Sequence, residues 1–186
     1  MKICCIVGHS KRKQGASNKR TGLTEFSYNE SLVLEIGEEL ARMGHNVNIV
    51  YRQTYKQLPH DINTIDADVV VSFHCNAYNE KASGTEVLYA EGSDKGKKAA
   101  QIFHDHIVDA LKLTPRGIKP KRIKDRGGYI LHKTKAPCII LETFFLDNDL
   151  DLECAIKKHD KLVQAIVGAF HLLEFVYDLT PKLNLN

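Results

Sequence analysis

Three side chains able to bind a metal or move a proton each stand behind an apolar run. His9 follows ICCIV and a glycine, His74 follows VVVSF, and Glu142 follows CIIL. Such short apolar runs suit buried strands. In an α/β sheet, ligands gather beyond the carboxyl ends of the strands. Two imidazoles and a carboxylate brought to one sheet edge would form a metal or acid–base site on a rigid frame. A carboxylate that ends a core strand is costly to leave unpaired, so Glu142 needs a partner.

Catalytic zinc takes three protein ligands and keeps one position open, and two histidines with one glutamate form a recognised set. The third ligand has two candidates in the stretch TEFSYNES. Glu25 lies at the edge of a predicted helix, on the side from which His9 emerges, where the helix dipole favours a carboxylate. Glu30 lies a turn and a half further in. Singly, each residue has an ordinary reading as a surface, capping or first-turn side chain; the joint placement carries the chemistry. Cysteines compete poorly as ligands. Cys75 adjoins His74 and so points to the opposite face of its strand. Cys4, Cys5 and Cys138 fall mid-strand, as small core residues do. His104 and His106, two apart on a predicted helix, share no face.

The elements that must position these residues alternate between strand and helix, which predicts an α/β fold. The expected sheet is parallel or mixed, with about six strands and helices on both faces. Strands are predicted at 2–8, 46–51, 68–73, 84–90, 129–132 and 138–142. Residues 9–24 read as a loop. The spacing of Leu32, Ile36, Leu40 and Met43 predicts a helix over 27–43, closed by Gly44. A short helix is expected at 61–67. A longer one at 94–113 would bury Ala99, Ile102, Phe103, His106, Ile107 and Leu111. Residues 149–177 read as one helix with Leu162, Ile166, Phe170 and Leu173 inward. Residues 114–128 read as a basic loop punctuated by proline and glycine. A single domain over 1–178 is expected, with a short tail at 179–186.

At 186 residues, one domain can bury most of its apolar surface without disulfide staples. The five cysteines show no CxxC spacing, which argues against a disulfide framework or a four-cysteine zinc site. A net charge of +3 permits an anionic polymer as partner without requiring nucleic acid. No apolar segment approaches the roughly 20 residues of a membrane span, and MKICCIVGHS lacks a signal-peptide pattern. The expected location is therefore cytoplasmic as synthesised.

Taken in order, these segments resemble the zinc-dependent N-acetylmuramoyl-L-alanine amidases, the catalytic fold of bacterial cell-wall amidases and many phage endolysins. IVGHS resembles the family's first strand and histidine. EFSYNESLVLEIGEELARMGHNVNIVYR resembles its Glu-x-x-x-Asn helix, a match that selects Glu25 over Glu30 and pairs it with Asn29. ADVVVSFHCNA resembles the strand followed by His-x-Asn-Ala, and GTEVLY the strand after it. RGIKPKRIKDRGGYILHKTKAPCIILETFFLDN resembles the closing segment, with Glu142, Phe145 and Asn148 in a Glu-x-x-Phe-x-x-Asn pattern. The resemblance implies one Zn2+ held by His9, Glu25 and His74, with Glu142 as the catalytic carboxylate. Asn76, Arg116 and Arg126 are the candidate substrate contacts. Two departures stand out: Ser10-Lys11 replaces Gly-Gly, and Phe144 replaces a glycine, which is expected to narrow or reshape the cleft.

The implied reaction is hydrolysis of the muramoyl–L-alanine amide of peptidoglycan. Zinc would polarise the carbonyl and acidify water, and Glu142 would move the proton. A lysin without a leader would reach the wall through a holin. The basic stretch Lys112, Arg116, Lys119, Lys121, Arg122, Lys124 and Arg126 reads either as a solvated loop or as a rim attracting wall polymers and stem-peptide carboxylates. Three alternatives compete. GHSKRKQGASN also resembles the phosphate loop of FMN-dependent reductases, which would place the phosphate on a helix N-terminus. A zinc peptidase acting on another stem-peptide bond would use similar ligands. An inactive wall-binding module would need none of the four site residues.

Overall fold

A computed structural model describes residues 1–178, and the expected tail at 179–186 lies outside the described residues. The chain runs β1 (Lys2–Val7), α1 (Glu25–Arg42), β2 (Asn46–Tyr51), α2 (Leu58–Asn63), β3 (Val69–Asn76) and β4 (Thr85–Ala90). It continues through α3 (Asp94–Leu111), β5 (Pro115–Lys121), α4 (Gly128–Lys133), β6 (Cys138–Phe145), α5 (Asp149–Lys157) and α6 (His159–Val176). The strands form one mixed sheet in the order β2-β1-β3-β6-β4-β5. Strands β2, β1, β3 and β6 are mutually parallel, β4 runs antiparallel to β6, and β5 runs parallel to β4. The α/β sandwich expected from the alternation is present.

Side-chain alternation along the strands splits the core in two. One face presents Ile3, Cys5, Val7, Val71, Phe73, Ile139 and Leu141 to α1, α3 and α6. The other presents Cys4, Ile6, Val70, Cys138 and Ile140 to α2 and α4, packing on Leu58, Ile62, Ile130 and Leu131. These two short helices cover that face incompletely, and an open cleft lies beside them at the strand ends.

Several sequence expectations are corrected. Residues 114–128 are not one loop, because Pro115–Lys121 is an edge strand paired only with β4. Two prolines and three basic residues hid it from a propensity reading, though they suit an edge that must not recruit further strands. Residues 129–132 are helical, within α4. Periodicity cannot separate a short apolar run such as YIL from a strand. The helix expected at 61–67 lies earlier, at Leu58–Asn63. The expected terminal helix is two, broken at Lys158, whose φ of −109° is not helical. Its predicted inward residues Leu162, Ile166, Phe170 and Leu173 are all buried. Met43 lies outside the core, 48% exposed. On α3 the buried histidine is His104 rather than His106: its Nε2 accepts the Gly117 N–H at 3.1 Å.

Candidate active site

His9, Glu25 and His74 converge. Their candidate ligand atoms all lie within 4.8 Å of one another. Nε2 of His9 is 3.0 Å from Oε2 of Glu25, and Nδ1 of His74 is 2.8 Å from Oε1. The two rings meet edge to face, with centroids 5.2 Å apart. Each ligand comes from a different element. His74 belongs to β3, His9 lies just past β1, and Glu25 is the first residue of α1.

Local backbone places them. His9 adopts a left-handed φ of 67°, which costs a non-glycine residue about 1–2 kcal/mol. The turn carries the chain off β1 toward Glu25. Gly8 before it donates its N–H to the Phe73 carbonyl at 3.0 Å. A Cβ there would stand 2.2 Å from that oxygen, so only glycine lets the ends of β1 and β3 approach this closely. Thr24 caps α1 by accepting from the Ser27 N–H, with Ser27 closing a reciprocal capping box.

The loop 9–24 is a structural clamp. The Ala16 N–H donates to Oε2 of Glu25 at 3.0 Å, and the Glu25 N–H donates to the Ala16 carbonyl at 2.8 Å. Gly15, at φ 77°, passes so close that a Cβ would lie 2.4 Å from Oε2 of Glu25 and 2.6 Å from the His9 ring. From the sheet side, the Cys75 N–H donates to Oε1 of Glu25 at 3.1 Å. The Cys75 side chain points into the opposite core, as alternation requires. Asn29 reaches Glu25 through its backbone: Nδ2 donates to the Glu25 carbonyl at 3.0 Å and faces Cys75 Sγ at 3.6 Å. Burial opposes ionisation of Glu25, but hydrogen bonds from His74 and His9, with their charge, outweigh it. The Glu25 pKa falls below the usual carboxylate range.

Glu142 stands in register with His74 across the parallel pair β3–β6, and with Glu86 across the antiparallel pair β4–β6. Its Oε2 is cut off from solvent and has no hydrogen-bond partner. Burial, joined by the negative charges of Glu25 and Glu86, pushes its pKa well up; Arg126 and Lys121 oppose the rise. Glu86 is fully engaged: Asn76 Nδ2 donates to one oxygen at 3.1 Å and Arg116 Nε to the other at 3.0 Å. Arg116 also lies over the Phe145 ring, 4.9 Å from its centroid. Of the three candidate substrate contacts, Asn76 and Arg126 line the cleft, whereas Arg116 spends its charge on Glu86.

Phe144 does not narrow the cleft. The β3–β6 register slips between His74 and Asn76, where two residues of β3 span three of β6. The extra residue reverses the alternation and sends Phe144 into the core, edge-on to Tyr28 at 5.0 Å. Asn148 has a structural role as the N-cap of α5, accepting from the Leu150 and Asp151 N–H groups. The cleft itself encloses about 590 Å3. Sequence reading missed its Glu86 wall and the Arg52, Tyr55 and Tyr129 side of its far arm. It also missed the clamp of Gly15 and Ala16, which only the tertiary fold brings to Glu25.

The mixed α/β sheet thus carries a two-histidine, one-glutamate cluster able to hold a metal, beside a buried carboxyl. The sequence profile of the family described as N-acetylmuramoyl-L-alanine amidase matches residues 3–171, and the chain belongs to that family. Among solved structures, the catalytic domain of an endolysin targeting Clostridia Difficile is 28% identical. It covers 91% of this chain and 96% of its own, with a TM-score of 0.78. The N-acetylmuramoyl-L-alanine amidase from Clostridium difficile 630 shares the fold at TM-score 0.81 and 23% identity, covering 97% of each chain. The N-acetylmuramoyl-L-alanine amidase LytC of Bacillus subtilis is 26% identical over 170 residues, 86% of this chain and 32% of its own length. An uncharacterized cell wall amidase of Bacillus anthracis is 32% identical over 89 residues, 45% of this chain and 16% of its own length. The chain thus spans about a third or less of these two curated relatives.

The FMN alternative fails on the geometry of α1. A phosphate would need the free N–H groups of that helix start, but those of Glu25 and Phe26 donate to the Ala16 and Gln14 carbonyls, that of Ser27 donates to Thr24 Oγ1, and the first helical residue is the carboxylate Glu25. Among the described residues no helix is long and apolar enough to cross a membrane.

Proposed function

We propose that this chain hydrolyses the amide between N-acetylmuramic acid and L-alanine in peptidoglycan, with His9, Glu25 and His74 holding zinc and Glu142 acting as the catalytic carboxylate. The supporting observation is the pairing of a clustered His–Glu–His set with an unpartnered buried carboxyl oxygen on the neighbouring strand. The donor set fits the metal. Two imidazole nitrogens and one carboxylate oxygen suit zinc, whose tetrahedral ligands lie about 2 Å from the ion and hence roughly 3–3.5 Å apart. Gly8 and Gly15 keep the space around that set clear of side chains. Bound there, zinc would supply Lewis acidity, polarising a carbonyl and acidifying water.

The protein's own groups do the rest. The N–H groups of Ala16 and Cys75 fix the Glu25 carboxylate, as groups around a metal site orient its ligands. Burial, with the negative charge of Glu25 beside it, raises the pKa of Glu142, the direction that suits a carboxyl that must both accept and return a proton. It takes a proton from attacking water and delivers it to the departing alanine nitrogen, without which the amine leaves poorly. Elemental analysis of purified protein tests the assignment. Wild type and Glu142→Gln should each carry one zinc, and His74→Ala none, while only wild type hydrolyses a muramoyl-peptide. Zinc retained at full stoichiometry in His74→Ala would overturn it.

A further inference from the structure

The cleft continues past Glu142 along the sparsely covered face of the sheet, and its two ends differ in charge. Near the cluster it is lined by the carboxylates Glu86 and Glu142. The far arm is lined by Arg52, Lys121, Lys124 and Arg126 over an apolar floor that includes Leu58 and Ile130. Arg116 is paired with Glu86, but among the described residues none of these four cations has a carboxylate at ion-pair distance. The one acid of the arm, Asp125, accepts the Arg122 N–H of its own loop at 2.8 Å. Tyr55 and Tyr129 wall the arm with ring centroids 5.8 Å apart, and Arg52 lies over Tyr55 at 5.7 Å. Unpaired cations over an apolar, aromatic-walled floor match a short peptide that carries carboxylates.

We propose that this arm selects acidic stem peptides, with the Arg126 guanidinium pairing the free α-carboxylate of the residue after the alanine. The inference rests on the amidase reading, which puts the scissile amide beside Glu142 and the leaving peptide along the arm. Arg126 and Lys121 line the same cleft as Glu142, which puts them on the path of the leaving peptide beyond the cut. The residue after the alanine is γ-linked in peptidoglycan, so its α-carboxyl is either free or capped as a carboxamide. A carboxylate accepts two hydrogen bonds from one guanidinium. A carboxamide offers one acceptor and turns two donors toward a positive wall.

Two muramoyl-tripeptides differing only in that carboxylate or carboxamide provide the test. Wild type should favour the acid in kcat/KM by about tenfold or more, the worth of one charge-assisted hydrogen bond. Arg126→Gln should bring the ratio close to one, and Arg126→Lys should restore much of it. Equal rates on both peptides in wild type, or an unchanged ratio in Arg126→Gln, would overturn the assignment. Calorimetric binding of the same peptides to zinc-loaded Glu142→Gln reads the arm without turnover. An acid-over-amide affinity ratio that falls with Arg126→Gln supports the arm even if wild type cleaves neither peptide, an outcome that would count against the amidase reading alone. Equal affinities would count against the arm alone.

Discussion

His74 and Glu142 stand directly opposite each other on neighbouring parallel strands, one a candidate metal ligand and the other the only carboxyl on β6. The sheet register alone therefore sets a buried carboxyl beside the candidate metal ligands. Because the two act on different steps, their variants should separate. Glu142→Gln should keep zinc and lose on the order of 10²–10⁴-fold in turnover, whereas His74→Ala should lose both. Paired zinc and rate measurements decide. Wild-type turnover in a clean Glu142→Gln preparation would remove Glu142 from the mechanism.

Gly15 and Gly22 provide a matched pair in the loop before α1. Both have positive φ, 77° and 73°, but a Cβ at Gly15 would strike Glu25 and His9, while at Gly22 nothing lies within 4 Å. Gly22→Ala should cost only backbone strain, about 1–2 kcal/mol, and leave zinc affinity intact. Gly15→Ala should in addition weaken zinc by roughly 10–100-fold, as loss of a ligand's supporting contacts does. Chelator competition measures the difference, and equal zinc affinity in both variants would show that the clamp is unimportant.

The raised pKa of Glu142 has a consequence for stability in zinc-free protein. Below the ordinary carboxylate pKa, the carboxyl is protonated both folded and unfolded. As pH rises above that value, the unfolded chain releases this proton first, so the folded state loses stability. Glu142→Gln has no proton to release. It should melt above wild type at pH 7.5 in the presence of a chelator, with the gap closing toward pH 4. A gap that widens in acid would show that Glu142 is ionised in the fold.

Three of the four candidate residues, His9, His74 and Glu142, were legible because each follows an apolar run that reads as a buried strand. Glu25 was legible only as one of two carboxylates. Its selection over Glu30 needed the family resemblance, because the contact that fixes it, the Ala16 N–H, arises from how a polar loop folds back on a helix. Phe144 was misjudged for a related reason. Alternation predicts that it shares a face with Glu142, and a one-residue slip against β3 reverses that. Strand β5 was hidden by Pro115, Pro120 and its lysines. Yet it is this strand that turns the basic stretch into one cleft-lining residue, Lys121, and one ion-pair partner, Arg116, with Lys124 and Arg126 in the loop behind it.

The unpaired cations of the far arm, of which Lys124 and Arg126 are exposed, imply salt-dependent binding. Their attraction to carboxylates is screened over about 10 Å at 0.1 M salt. Raising salt from about 0.05 to 0.5 M should weaken wall binding by zinc-loaded Glu142→Gln several-fold, and do so less in Arg126→Gln. Sedimentation with purified walls measures this, and salt-independent binding would argue that contact is mainly apolar.

The central claim is a metal-dependent cut at one bond. Mass spectrometry of purified peptidoglycan, digested by zinc-loaded and by exhaustively chelated protein, addresses it directly. The account predicts free peptides beginning with L-alanine, and glycan strands bearing the bare lactyl carboxylate, from the loaded protein only. Cleavage at a sugar linkage or within the stem peptide, or undiminished release by metal-free protein, would contradict it.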